Sequence, residues 1–452
     1  MKGEATDLKQ KGMSMETANR PKTEEISRRQ FLKKSSATAA SLTALSARIQ
    51  PKIYAAGTEV MKIGLIGCGG RGTGAAGQAL NACKRAKLVA MADAFEDRLE
   101  QSYRSILKIH PERVDVPPER RFVGMDAYAK VIEADVDMVL LTTPPGFRPL
   151  HFEAAVKANR HVFMEKPVAV DAPGIQRVTA ANEQAKEKGL AIAVGLNIRH
   201  QNSSREVIKH VHDGAIGKIS FLQSYGNNAG VWVRPRQPGQ SEMEYQMRNW
   251  YYFNWLCGDL IVEQTVHSLD LVNWAKGDHP VEAQGMGGRQ VRVGPDFGEI
   301  YDHHAIEYTY RDGTKMFLFC RHIPGCWNSG GGIAHGTKGQ ADLGSGVLKV
   351  EGQEQVRFDR GIAGHQAEHD DLFAALDAGQ AYNEGDYGIT STMTAILGRM
   401  ATYSGQVVTW DEAMKSETDL SPQHYSWDAE APVKPGADGL YACAMPGQTK
   451  PY

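Results

Sequence analysis

The stretch Lys62-Ile63-Gly64-Leu65-Ile66-Gly67-Cys68-Gly69-Gly70-Arg71-Gly72 decides the fold. A short apolar run ends in glycines, which suits a buried parallel strand. Gly67, Gly69 and Gly72 stand at the spacing G-x-G-x-x-G, between that strand and a helical pattern running through about residue 84. In such a turn Gly67 permits the tight bend, Gly69 lets backbone approach a pyrophosphate, and Gly72 lets helix pack on strand. The helix N-terminus, opened by Gly70 and Arg71, then meets the phosphate charge. The motif alone is weak, and its context strengthens it. A second strand, Lys87 to Ala92, ends at Asp93, about 20 residues beyond Gly72. A carboxylate there bonds both ribose hydroxyls and repels a 2′-phosphate, which favours NAD over NADP.

Working outward, Val136 to Thr142 reads as a strand, His151 to Ala158 as a helix, and His161 to Met164 as a strand. Leu190 to Val194 closes the series. Strands alternating with helices predict βαβ units and a doubly wound sheet. After about residue 195 the texture changes. A helix at 203–213 leads to a strand at 219–225, and Pro235, Pro238 and Gly239 mark an irregular insertion. Ala305 to Tyr310 and Lys315 to Phe319 alternate with period two around Asp312-Gly313, a strong hairpin signal. The expected architecture is an α/β Rossmann dinucleotide-binding domain at 58–194, followed by an α+β domain with an open, mainly antiparallel sheet at 195–415. Residues 416–452, rich in Pro, Gly and Ala, are expected to form an extended arm over a neighbour or the partner domain.

Residues 1–57 stand apart. The first 26 are polar. Ser27-Arg28-Arg29-Gln30-Phe31-Leu32-Lys33 then precedes a mildly apolar Ala/Ser/Thr run to Ala47. This resembles a twin-arginine export signal, and implies a periplasmic or otherwise exported protein, with cleavage expected near Ala47 or Ala56. The apolar run is too short and mild for a membrane span, and no other segment approaches the ~20 apolar residues that one needs. Over the 452 residues, 51 Lys and Arg balance 53 Asp and Glu. That balance gives no electrostatic footprint for nucleic acid. Six cysteines form no C-x-x-C pair. Cys320, His322 and Cys326 lack standard zinc spacing, so no metal is expected.

Thr142-Thr143-Pro144-Pro145 ends one strand, His151 begins the next helix, and Met164-Glu165-Lys166-Pro167 ends the following strand. With GCGGRG and Asp93, this ordered set resembles the Gfo/Idh/MocA family of sugar and inositol oxidoreductases, over about Met61 to Glu412. The resemblance implies cofactor contacts at Gly67, Cys68, Gly69, Gly70, Arg71, Gly72, Asp93, Thr142, Thr143, Pro144, His151, Glu165 and Lys166. It also implies a catalytic role for Lys166, between substrate and nicotinamide. From the residues themselves, a lysine at the carboxyl end of a parallel strand lies at the ligand-binding edge of the sheet.

Between Gly258 and Asp270, apolar residues 262, 266, 269 and 272–273 fit one helical face. Asp259, Glu263, His267 and Asp270 fit another. An ionisable stripe containing a histidine suits proton transfer. The family resemblance implies D-x-x-x-H here, with His267 as acid/base. Glu263 stands in the aspartate position, which leaves open whether it orients His267 or touches substrate. Glu263 and His267 lack the further ligands of a metal site. Arg199 and His200 follow the last strand of the first domain, and Arg234, Arg236, Arg248, Asn249, Trp250, Tyr251 and Tyr252 form an arginine- and aromatic-rich stretch. Of these Arg199, His200, Arg248, Trp250, Tyr251, together with Asp259, are substrate candidates; an inter-subunit contact is the alternative. His303 and His304 are adjacent, so at most one enters the cleft.

The resulting expectation is a NAD(H)-dependent oxidoreductase acting on a sugar, polyol or glycoside. Export argues for a tightly held, recycled cofactor. A glycosidase working by oxidation, elimination, hydration and reduction is one alternative. A non-catalytic sugar-binding protein is another. A carbohydrate partner and a homo-oligomer, dimer or tetramer, built through the second sheet complete the expectation.

Overall fold

The computed structural model describes residues 59–451. The expected export signal lies outside them. Six strands form an all-parallel sheet: β1 (Met61–Ile66), β2 (Ala86–Asp93), β3 (Arg121–Val123), β4 (Met138–Leu141), β5 (His161–Met164) and β6 (Ile192–Val194), in the order β3-β2-β1-β4-β5-β6. Apart from the short edge strand β3, the strands are buried on both faces, as the near-continuous apolar runs require. Val139, Leu141, Val162 and Met164 face one side, with Phe152 and Ile175. Ile63, Leu65, Met138, Leu140 and Phe163 face the other. The connecting helices are α1 (Gly70–Ala82), α2 (Glu96–Ile109), α3 (Ala127–Glu133), α4 (Arg148–Lys157) and α5 (Ala172–Glu187). The strand order reverses direction between β1 and β4, where a doubly wound sheet opens its ligand crevice.

The second half begins with α6 (Asn202–His212) and β7 (Ile219–Asn228). The helices α7 (Glu242–Arg248), α8 (Asn254–Cys257), α9 (Leu260–Glu263) and α10 (Val266–Lys276) follow. A nine-stranded sheet takes in β7, β8 (Pro280–Gly288), β9 (His303–Tyr310), β10 (Lys315–His322), β11 (Ser329–Gly336), β12 (Gly339–Asp342), β13 (Val347–Val350), β14 (Val356–Arg357) and β15 (Val408–Thr409). Only the β7–β10 pairing is parallel. The expected hairpin is β9–β10, with Gly313 at φ +82°. Alternate residues of β9 and β10, such as Ile306, Tyr308, Met316 and Leu318, are buried. They pack toward α10 and α12 (Gly385–Ser404), where the Tyr308 hydroxyl donates to the Thr394 carbonyl at 3.1 Å and the Tyr310 hydroxyl to Asn273 Oδ1 at 2.7 Å. α11 (Gly364–Asp377) returns to the first sheet: Leu372 and Phe373 share a core with Ala75, Ala79 and Leu80 of α1. After α13 (Trp410–Met414) the arm lies on its own chain. Its Leu420 amide donates to Asp171, and Tyr441 pairs with Glu242.

One expectation is corrected here. Residues 259–270 are not a single helix with one polar stripe. Asp259 has φ +79°, and its carboxylate accepts from the amides of Leu260 and Tyr301 and from the Tyr403 hydroxyl. These bonds turn the chain before α9. A second break at Gln264 and Thr265 separates α9 from α10. Asp259 and Asp270 therefore point away from Glu263 and His267.

Candidate active site

At the carboxyl edge of the parallel sheet lies a cavity of about 530 Å³, within the range of small-molecule sites. The glycine loop forms its floor. Gly67 has φ +97°, and a Cβ there would sit 2.6 Å from the Thr143 amide nitrogen. At Gly72 a Cβ would sit 2.0 Å from the Gly67 carbonyl oxygen, so helix and strand touch only because both positions lack side chains. Gly69 and Gly70 face open space instead. Bare backbone at the start of a 13-residue helix thus looks into the cavity, the arrangement that receives a pyrophosphate. Thr142 fastens this loop, donating from Oγ1 to the Gly67 carbonyl at 2.6 Å.

Asp93 ends β2 and lines the same cavity. Its carboxylate accepts from the Cys68 amide at 2.6 Å and the Phe95 amide at 2.9 Å. An ionised carboxylate has about four acceptor sites, so both oxygens retain capacity for hydroxyls. Burial raises its pKa, and the two amides pull it back. The bottom of the crevice is held by Arg148, fully buried, which donates to the carbonyls of Leu141 at 2.5 Å and Thr143 at 2.7 Å. The His151 ring stacks on Tyr128 at 4.2 Å, and burial, with Arg148 nearby, pushes its pKa down to about 3. These features fit a dinucleotide: a cradle for phosphates, a carboxylate for ribose, and neutral walls for the rings.

The two halves of the chain meet at Lys166. Its Nζ donates to the Glu263 carbonyl at 2.5 Å and to Glu263 Oε1 at 2.9 Å. Glu263 thus turns its carboxylate to the lysine. His267 lines the cavity with them, and its Nδ1 is buried without a partner. Burial and the Lys166 charge hold the imidazole well below its usual pKa, so it is neutral. A neutral histidine, a lysine cation and an enclosed, unpaired ring nitrogen make a site for a hydroxyl that is about to lose a proton. Arg71 spans to Glu165 at 2.5 Å across the glycine loop.

The remaining candidates are dispersed. Arg199 pairs with Asp270 at 2.8 Å and lies over the Tyr387 ring. His200 is buried between Asp371 and Glu384. Asp259 is 3.2 Å from His304 Nε2, and Tyr251 is buried beside His322. None of these lines the cavity. His303 pairs with Asp302 and also stays outside it. Arg248 and Trp250 do line it, Arg248 over Phe95 where β2 stops and Trp250 against Trp232 and Tyr251. Sequence reasoning missed Arg98, Tyr128, Arg148, Trp232 and His365. Arg98 lies five residues after Asp93, in the first turn of α2. His365, on α11, gave no signal at about 100 residues from His267. Among the described residues no group of three His, Cys, Asp or Glu is arranged to hold a metal ion.

Residues 61–196 match the family model GFO_IDH_MocA, described as "Oxidoreductase family, NAD-binding Rossmann fold". The chain is 25% identical over 242 residues to myo-inositol 2-dehydrogenase of Thermotoga maritima, covering 54% of this chain and 62% of that protein. It is 28% identical over 232 residues to 2,7-anhydro-N-acetylneuraminate hydratase of Mediterraneibacter gnavus, covering 49% and 56%. The chain thus spans about three-fifths of the length of these relatives. Its fold is similar to that of aldose-aldose oxidoreductase from Caulobacter crescentus, with a TM-score of 0.61 at 20% identity, over 78% of this chain and 100% of that one. The glycine cradle, Asp93 and the parallel order of strands thus agree with the family model, and residues 61–196 are an NAD-binding Rossmann domain similar to that of the Gfo/Idh/MocA oxidoreductase family.

Proposed function

We propose that the protein is a NAD(H)-dependent oxidoreductase acting on a CH–OH group of a sugar or polyol. The observation that carries this reading is the meeting of Lys166 and His267 in the cavity that the glycine loop and Asp93 also line. The pyrophosphate would lie on Gly69 and Gly70, and the adenine ribose on Asp93. When bound, the nicotinamide supplies the acceptor for a hydride from the carbinol carbon. Lys166 hydrogen-bonds the substrate oxygen and stabilises the negative charge that develops on it. Glu263 holds the Lys166 ammonium in place. His267, kept neutral by its surroundings, takes the hydroxyl proton. The relatives named for inositol and anhydrosialic acid chemistry support a polyhydroxylated substrate. The experiment is to incubate the purified protein with NAD⁺ and a panel of inositols, aldoses and glycosides. Reduced nicotinamide, on the protein or in solution, is expected with at least one compound. Its absence with every one, in protein that binds NAD⁺, would reject the reading.

A second reading keeps the cofactor on the protein and returns the hydride at the end of each cycle. It is favoured by the Arg248–Asp97 contact beside Phe95 at the β2 end of the cavity and by the likeness to a hydratase. Export by the Arg28-Arg29 signal belongs to the same proposal, since a bound cofactor suits a compartment without a free pool. Self-association through the second sheet is also part of it. Supporting this, Met286 is 76% and Phe319 42% exposed on strands of that sheet.

A further inference from the structure

The stretch that precedes the His267 helix also lines the cavity, and through Arg248 it reaches the end where β2 stops. Trp232, Arg234, Arg248 and Trp250 line the cavity together with Phe95 and Arg98, two and five residues after Asp93. Arg248 donates from both terminal nitrogens to Asp97, at 3.1 and 3.2 Å, and from Nε to Glu244 at 3.2 Å. Its guanidinium carbon lies 4.0 Å from the Phe95 ring centroid. Phe95 is backed from its other neighbour, Trp427 of the C-terminal arm, at 5.2 Å between rings. Arg234 lies over Trp232 at 4.7 Å, and Trp232 meets Trp250 edge-on at 5.7 Å.

Three arginines, Arg98, Arg234 and Arg248, meet here with Asp97 and Glu244. Burial and the nearby charges of Arg98 and Arg248 depress the Arg234 pKa, and Asp97 opposes the shift. Among the described residues, neither the Arg98 nor the Arg234 guanidinium donates a hydrogen bond. The Arg234 guanidinium, the Arg98 guanidinium held only at 3.9 Å from Asp97, and two indoles lining one cavity suit a ligand that has a π face and carries negative charge. The adenosine phosphate half of a dinucleotide has both.

We infer that residues 232–250 supply the outer wall of an adenosine site, with Arg98 and Arg234 on the nucleotide and the Arg248–Asp97 pair as the clasp that holds the wall closed. The inference rests on the reading that this cavity takes NAD(H). Asp97 and Arg248 belong to different halves of the chain, so the nucleotide can leave by this end only when their contact opens. The clasp is what allows a cofactor to stay through successive turnovers.

The test is the rate at which bound NAD⁺ leaves. The protein is loaded with NAD⁺, separated from free nucleotide and diluted, and the nucleotide remaining is assayed over time. Arg248→Ala and Asp97→Ala are expected to speed release about five- to tenfold, the scale of an ion pair with a ring contact. The double exchange Asp97→Arg with Arg248→Asp is expected to restore slow release. Arg234→Ala is expected to weaken AMP binding and leave nicotinamide mononucleotide binding unchanged. If the wild type takes up NAD⁺ and the Arg248 and Asp97 variants release it at the same rate, this inference is overturned and the proposed function stands. If the wild type takes up no NAD⁺, the proposed function fails and the inference with it.

Discussion

Lys166 Nζ lies 2.9 Å from Glu263 Oε1, so the ion pair that joins the parallel-sheet domain to the second domain also passes through the centre of the candidate site. Both side chains are about one-eighth exposed, at 13% and 12%. The contact therefore sets the position of the lysine and the spacing of the cleft at once. Lys166→Ala is expected to lower kcat by about 10²–10³, because it removes a charge aimed at the developing alkoxide. Lys166→Arg is expected to rescue little, since a planar guanidinium cannot take the compact ammonium's place. Glu263→Gln removes the counter-charge but keeps an acceptor. It is expected to lower kcat about tenfold while leaving NAD⁺ affinity unchanged, as Lys166 loses the charged partner that fixes its position. An unchanged kcat would place Glu263 outside the positioning of Lys166.

His267 has its pKa held well below the usual value by burial and by Lys166. The wild-type rate is therefore expected to stay level through pH 6.5, with no limb at the ordinary histidine value. His267→Ala is expected to cost about 10²–10⁴ in rate and to recover in part as pH rises and hydroxide replaces the base. A wild-type limb centred near 6.5 that vanishes in His267→Ala would contradict the neutral state assigned to it.

Asp93 does two things at once. NAD⁺ is expected to bind at least about tenfold more tightly than NADP⁺, about 1.4 kcal/mol, when titrated by fluorescence. Asp93→Asn turns an amide N–H₂ toward the backbone amides of Cys68 or Phe95, which Asp93 now accepts. A buried donor left unpaired costs about 1–3 kcal/mol. The variant is expected to lose both the preference and that much unfolding free energy in urea. Equal affinity of the wild type for the two nucleotides would remove Asp93 from the ribose.

Two buried histidines set opposite pH limits on stability. His151 is lowered to about 3, by burial first. Its contribution is present above 6.5 and is lost as pH falls from 6.5 toward 3, at about 1.4 kcal/mol per pH unit. For His200, burial opposes the charge, but hydrogen bonds to Asp371 and Glu384 outweigh it and lift the pKa to about 9. Its contribution is full below 6.5 and is lost as pH rises through 9. Urea midpoints across pH are expected to fall on both sides. His200→Gln is expected to flatten the alkaline side only. A wild type equally stable at pH 6.5 and 9.5 would contradict the charged state of His200.

Much of the nucleotide domain was legible because its signals are local. The glycine turn, Asp93 and the Met164–Pro167 strand end each occupy one βα junction, and their order is the order of the sheet. The open second sheet was legible from the period-two run of β9 and β10. The continuous helix from 259 to 270 was misread for a tertiary reason. Asp259 finds four partners from three separate segments, and these outweigh the periodicity of the apolar residues. Arg248 and Trp250, substrate candidates by composition, line the cavity, but that Arg248 reaches its β2 end depends on Asp97 and Phe95, 151 or more residues away. No spacing rule reports such contacts. His365 enters the cavity from α11 for the same reason.

The central claim is that one cavity joins NAD to a polyol hydroxyl through Lys166 and His267. The most direct measurement follows the near-ultraviolet absorbance of nicotinamide on the NAD⁺-loaded protein as sugars, inositols and glycosides are added. This reads net oxidation and a recycled cofactor alike. The account predicts a rise from reduced nicotinamide with at least one compound, slowed about 10²-fold or more in Lys166→Ala and His267→Ala while both variants stay loaded. A wild-type protein that binds NAD⁺ and shows no such rise with any compound, or variants that match its rate, would contradict it.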